Sequence, residues 1–433
     1  MKLTSHPQRD DIWQELHARP YVRFSAPAHV LHLSFFLGER DGEPDRANLM
    51  RLKENLGLAP TYETPKHGIF AGAIADLGRL VLRWERHAEF VAYTLFLYEL
   101  EIPFRPFGFD FTELVPAGWL ESFGIPPVVA TRLAIGHRRE MPDTPEGVMA
   151  LFEGHTVNGS QVMGGRAEAW TCYRAHEDGF GRIAIVVHEM SPQDLGRTVE
   201  RLLAIENSYH LTLLSLPAAR EVKPELAFAE RRMVLEMDAL RSADSLEQKR
   251  TVLDALLALA AEVEHLRARV SNRFAGSSAY FSLLESRFTE LREDKIEHVL
   301  RLSRFVMRRV RPAAETYRGL LERLANLSER IDRAADLLRT SIELHVEEQN
   351  ARLLEGADRR ARLQLRLQEA VEGLSLVVIT YYALGLAGYA LKGIKARGFD
   401  FDLDATLGLA LPFLALAVWG VVHMIRKRFR GES

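Results

Sequence analysis

The chain has 433 residues, a formal net charge of −3 and a single cysteine, Cys172. The near-neutral balance gives no global case for a nucleic-acid partner, and one cysteine excludes a disulfide framework or a cysteine-rich metal site. Fifteen of the 18 prolines lie at or before Pro217; since proline breaks helices, the first half reads as a turn-rich α+β or α/β domain and the second as almost wholly helical.

Residues 1–20 are polar and mixed in charge and lack the apolar core of a signal peptide, so the domain 1–217 is expected to stay in the cytoplasm. Apolar or alternating runs predict strands at 30–36, 80–84, 90–96, 167–173 and 182–188. Asp178-Gly179 predicts a hairpin turn between the last two. Ser191 is placed to cap a helix that starts at Pro192 and runs to about Asn207. A short apolar segment, 211–216, closes the domain.

Residues 218–372 read as a helical bundle and stalk. Helices are predicted at about 225–242 and 246–273, with Ser245 and Gln248 as a capping box for the second. Gly276-Ser277-Ser278 predicts a break, followed by a helix over 280–310 that ends before Pro312. From Ala313 to Ile394 there is no proline, and one continuous helix would be about 120 Å long at 1.5 Å per residue. Such a helix needs partners along an apolar stripe, and one is visible from Tyr317 through Leu320, Leu324, Leu327, Ile331, Ala334 and Leu338 to Leu353.

Two uncharged apolar runs follow, Gly373–Leu391 and Ala405–Val422, each long enough to cross a hydrocarbon layer. The domain plan is a first span at 373–391, an external loop at 392–404, a second span at 405–425 and a basic tail at 426–433. Arginines before the first run and the Arg426–Arg430 cluster after the second put both chain ends in the cytoplasm. Gly385, Gly388 and Gly393 permit close helix approach.

The segments His6-Pro7, Glu15–Pro20, Asp178-Gly179-Phe180, Arg201–Glu206 and Leu363–Tyr382 resemble a bacterial family of uncharacterised membrane-anchored proteins with a domain of unknown function. This resemblance covers nearly the whole chain and implies architecture without an activity. The order of elements over about 220–430 is similar to CorA-type divalent-cation channels. That resemblance implies an inner-membrane homopentamer whose first spans line a pore. The Gly-Met-Asn signature of those channels is absent; the corresponding stretch reads Leu391-Lys392-Gly393, and a lysine at the outer mouth would repel a divalent cation.

Several residues carry chemistry worth locating. Glu372, Ser375, Thr380, Tyr381, Tyr382 and Lys392 are the polar residues of the first span and its ends, where a pore or helix–helix hydrogen bonds would place them. Asp400, Asp402 and Asp404 of the external loop could attract cations, with Asp404 the expected cap of the second span. Glu15, His17 and Arg19 form a candidate N-terminal polar network. Eleven of the 15 histidines precede residue 218, but none forms a close ligand pair. No phosphate-cradling or nucleophile-elbow motif is present. The sequence therefore predicts no enzyme and no cofactor. It predicts a lipid-embedded homo-oligomer that is an ion channel or transporter of unknown substrate. The alternative is a non-conducting membrane-anchored scaffold or sensor whose cytoplasmic domain binds a ligand or protein.

Overall fold

The computed structural model describes residues 6, 8–9, 12–13, 21–38, 43–142, 144–396, 398 and 402–430. Glu15, His17, Arg19 and Asp400 lie outside the described residues. The chain divides into two units: Met1–Ser242 with Asp254–Ala334, and Ala243–Leu253 with Ala335–Ser433.

The first unit holds a ten-stranded sheet. Its strands are β1 (Ala28–Phe36), β2 (Ala59–Glu63), β3 (His67–Ile74), β4 (Gly78–Arg86), β5 (Phe90–Tyr98), β6 (Val129–His137), β7 (Asn158–Val162), β8 (Ala167–Thr171), β9 (Gly181–Val187) and β10 (Asp294–Lys295). The spatial order is β10-β7-β8-β9-β6-β1-β5-β4-β3-β2. Among the described strands only the β6–β9 pair is parallel, so the domain is α+β. All five predicted strands are present. Gly179 has φ 80°, which supports the turn read from Asp178-Gly179.

Helices α1 (Glu43–Asn55) and α2 (Pro145–Ala150) join strands. Helix α3 (Pro192–Leu213) lies on one sheet face and is capped by Ser191, whose hydroxyl accepts from the Asp194 amide. It runs six residues beyond the expected end and absorbs the first half of the apolar segment predicted as separate. Gly196 lets α3 meet the incoming chain: a Cβ there would sit 2.0 Å from the Val22 carbonyl oxygen.

Three long helices follow: α4 (Leu216–Arg241), α5 (Leu246–Leu291) and α6 (Leu302–Lys395). The capping box is formed, with the Gln248 amide donating to Ser245 Oγ at 3.2 Å and the Ser245 amide to Gln248 Oε1 at 3.1 Å. The predicted break at Gly276 is absent. Phe274, Ser277, Phe281 and Leu284 are all buried, and this packing keeps α5 helical through the glycine. The segment expected as a helix over 280–310 is instead the end of α5, a turn with β10, and the start of α6.

Helices also continue through Pro224 and Pro312, where sequence rules expected a start and a stop. An interior proline costs roughly 3 kcal/mol. Near Pro312, burial of Val306, Val310, Ala314 and Tyr317 offsets that cost. Ion pairs Arg323–Glu230 and Arg232–Glu262, each 2.7 Å, and the stacked rings of Phe274 and Tyr317 tie α4, α5 and α6 into a bundle. The apolar stripe is buried from Tyr317 to Ala334 within this one chain, whereas Leu353 is exposed. Its first half is thus covered by the chain's own helices rather than open to neighbouring stalks.

In the second unit, α6 continues unbroken to Lys395 and α7 spans Leu403–Arg430. Both contain stretches long and apolar enough to cross a membrane. Their large side chains, among them Leu374, Tyr381, Leu386, Leu409, Phe413 and Leu416, are exposed. Gly388 is buried facing Leu407 of α7, with room for a Cβ in ordinary contact, so glycine is not required there for the two apolar helices of one chain to approach.

Candidate functional site

Alternation along β1 sorts its residues onto two faces. Leu31, Leu33 and Phe35 pack with Leu49 and Leu52 of α1 and with Trp84, Tyr93 and Trp119. Ala28 and Val30 pack with Leu195, Val199 and Leu202 of α3. At the next position on that second face the strand turns polar. The register aligns Thr131 of β6, His32 of β1, Thr94 of β5 and Arg83 of β4 in one row across four strands. All four are buried.

Buried polar groups must be hydrogen-bonded, and α3 supplies the partners. Asn207 Oδ1 accepts from the Ser34 hydroxyl at 2.7 Å and lies 3.0 Å from His32 Nε2. His32 Nδ1 lies 2.8 Å from Thr94 Oγ1. These contacts suit a neutral imidazole that donates through Nε2 and accepts at Nδ1. Burial pushes His32 down to about 4, which keeps the ring neutral. Arg83 Nη2 donates to Glu85 Oε1 at 2.8 Å and Glu200 Oε1 at 3.0 Å. Burial acts to raise the Glu85 carboxyl, but the Arg83 guanidinium and nearby histidines outweigh it and hold the group low. Glu206 Oε2 accepts from Thr131 at 3.2 Å and from Tyr209 at 3.1 Å.

Two cavities open along this row. One, of about 180 Å³, is lined by His32, Arg83, Glu85, Glu200, Asn207 and Tyr280 among others, with Phe90, Leu203 and Leu283 as its apolar wall. The other, of about 220 Å³, lies over Thr131, Tyr173, Glu206 and Tyr209. Convergent polar groups beside an apolar wall are the mark of a small-molecule site, and the first cavity suits a compact polar ligand. Among the described residues, no group of three or more His, Cys, Asp or Glu is placed to hold a metal ion.

Sequence spacing alone does not bring these residues into one row. The signal was present as lone polar residues at even positions in otherwise apolar strands: His32 and Ser34 in β1, and Thr94 in β5. A cysteine–histidine–carboxylate arrangement is likewise formed only by the fold. Cys172 Sγ lies 3.4 Å from His176 Nε2, and His176 Nδ1 lies 2.9 Å from Glu153 Oε2. Burial pushes the Cys172 thiol up, and it packs with Phe152, Trp170 and Met141. A protonated, enclosed thiol is a poor nucleophile.

The predicted membrane-face residues are dispersed. The Ser375 hydroxyl donates to the Val371 carbonyl at 2.8 Å and Thr380 to the Leu376 carbonyl at 2.7 Å. The rings of Tyr381 and Tyr382 meet edge to face, and the Lys392 ammonium lies 5.9 Å from the Tyr389 ring centre. Glu372 accepts from Gln368 at 3.3 Å and shares a recess between α6 and α7 with Trp419 and His423. The cap of α7 is Asp402, not Asp404: Asp402 Oδ1 accepts from the amides of Asp404 and Ala405 at 3.0 and 3.3 Å. Asp404 already lies in the first helical turn, where its own side chain is past the capping position.

Together these features define a class: a sheet domain with polar cavities beneath one helix, followed by long helices of which two could span a membrane. The chain belongs to the family described as protein of unknown function, DUF3422, whose model matches residues 4–429. No curated protein matches the chain.

Proposed function

We propose that this protein is a membrane-anchored sensor whose cytoplasmic sheet domain binds a small polar ligand in the cavity beside His32 and Asn207. The observation that carries this reading is the buried polar row itself. Removing so many polar groups from water is costly unless they are paired, and here the pairing borders a cavity instead of closing a solid core. The two apolar helices support the anchor, and their flanking charges support cytoplasmic chain ends. A CorA-like conducting pore is less well supported. Ser375 and Thr380, the hydroxyls best placed to wet the first span, bond back to their own helix.

The test is a thermal-shift screen of the detergent-solubilised full chain against amino acids, nucleosides and small dicarboxylates. Ligand binding raises the melting temperature by mass action. The reading requires at least one compound class to do so, with the effect lost in Asn207→Leu. A screen with no stabilising compound, or one whose hits persist in that variant, would count against it.

A further inference from the structure

The second cavity is chemically distinct from the first. Its floor carries Glu206, which is only 5% exposed. Both hydroxyl donors that reach this carboxylate, Thr131 and Tyr209, bond to the same oxygen, Oε2. Oε1 takes neither bond, and Glu206 lines the cavity. Two tyrosines stand beside it: the rings of Tyr173 and Tyr209 meet edge to face with centres 5.8 Å apart, and both line the same space. One face of Tyr173 is already covered by Phe305, stacked at 4.8 Å, and one face of Tyr209 by His210, stacked at 4.2 Å.

The cationic residues of the lining are unequally engaged. Arg182 is held by Glu153 at 3.1 Å and Asp178 at 3.4 Å. Arg174 is exposed. His210 directs Nδ1 to the Glu206 carbonyl at 2.9 Å. A buried acid with one oxygen uncommitted among the described residues, beside electron-rich rings, suits an ammonium group, which brings several N–H donors and is attracted to aromatic faces. Arg174 then offers a partner to a carboxylate on the same molecule.

We infer that the Glu206 cavity is a binding site for a free amino acid, whose ammonium group pairs with Glu206 beside Tyr173 and Tyr209 and whose carboxylate meets Arg174. The site does not rest on the His32 cavity, and the two are separable by mutation. Burial pushes the Glu206 carboxyl up, against the opposing pull of His210, with Tyr173, Tyr209, Arg174 and Arg182 as the other titratable groups around the cavity.

The experiment is isothermal titration of the full chain in detergent with glycine, γ-aminobutyrate and butyrate. The expected result is binding of at least one of the two zwitterions and no binding of butyrate. Glu206→Gln should weaken that binding by at least about tenfold, the loss expected for a charge-assisted hydrogen bond. Tyr209→Leu, which keeps the acid and removes a ring, should also weaken binding and serves if Glu206→Gln does not fold. The inference is overturned if neither zwitterion binds, if butyrate binds as well as they do, or if binding is the same in Glu206→Gln or, failing that, in Tyr209→Leu.

Discussion

Asn207 of α3 reaches His32 of β1 across 175 residues of sequence, with its side-chain oxygen 3.0 Å from the ring Nε2. The same oxygen receives the Ser34 hydroxyl, so one amide group satisfies two buried polar side chains of the sheet. Asn207→Leu removes this acceptor and leaves both without it. Stranding buried polar groups costs about 1–3 kcal/mol each. The variant should therefore melt several degrees below the wild type in circular dichroism, while Asn207→Asp, which keeps an acceptor, should lose less.

Acid should weaken the sheet domain before it protonates most carboxylates. Burial lowers His29 and His32 to about 4 from 6.5. For a group depressed in the folded state, stability is fully present above the unfolded value and is lost as pH falls through the folded one. At about 1.4 kcal/mol per pKa unit, each histidine removes on the order of 3 kcal/mol between pH 6.5 and 4. Urea midpoints measured across that window should fall with pH, and His32→Gln should flatten the slope. An unchanged slope in the variant would show that His32 is not the group responsible.

Gly196→Ala tests the seating of α3. Alanine is the better helix former by up to about 1 kcal/mol, and in an exposed helix it would stabilise. Here its methyl would meet the Val22 carbonyl oxygen at 2.0 Å, so the chain entering β1 or the helix must move. The expected outcome is a net loss of a few kcal/mol, read as a lower denaturant midpoint with an unchanged helical signal.

The membrane anchor is testable by extraction. Wild-type protein should remain in the pellet after alkaline carbonate washing of membranes. Leu409 and Leu416 are exposed on the apolar stretch of α7, and an arginine near the centre of a spanning helix costs about 2.5–3.5 kcal/mol. Leu409→Arg with Leu416→Arg should move a measurable fraction into the supernatant. Full release of the unaltered protein would remove the anchor from the proposal.

Local signals were legible in the sequence because their physics is local. Ser191 before Pro192, the Ser245–Gln248 box and the five apolar strand runs each act within a few residues. The long helices were legible from the absence of proline, but their boundaries were not. Whether a helix survives Gly276 or Pro312 depends on packing against helices distant in sequence, as in the stack of Phe274 on Tyr317. The polar row was illegible for the same reason: Arg83, Thr94, Thr131 and Asn207 become neighbours only once strand register is fixed. Lys392 and the carboxylates just before α7 stand out in the sequence by their position beside apolar runs, whereas the sites with convergent chemistry lie in the sheet domain.

The row has a consequence for assembly of the sheet. β1 and β5 are buried on both faces, from Ala28 to Phe35 and from Phe90 to Tyr98, so apolar alternation does little to choose their pairing. A slip of one residue would move a strand's side chains to the opposite faces and bring a leucine of β1 opposite Thr94 in place of His32. The hydrogen bonds through Thr94, His32 and Asn207 would be lost together. These few polar side chains act as a key that admits a single alignment of otherwise interchangeable greasy strands.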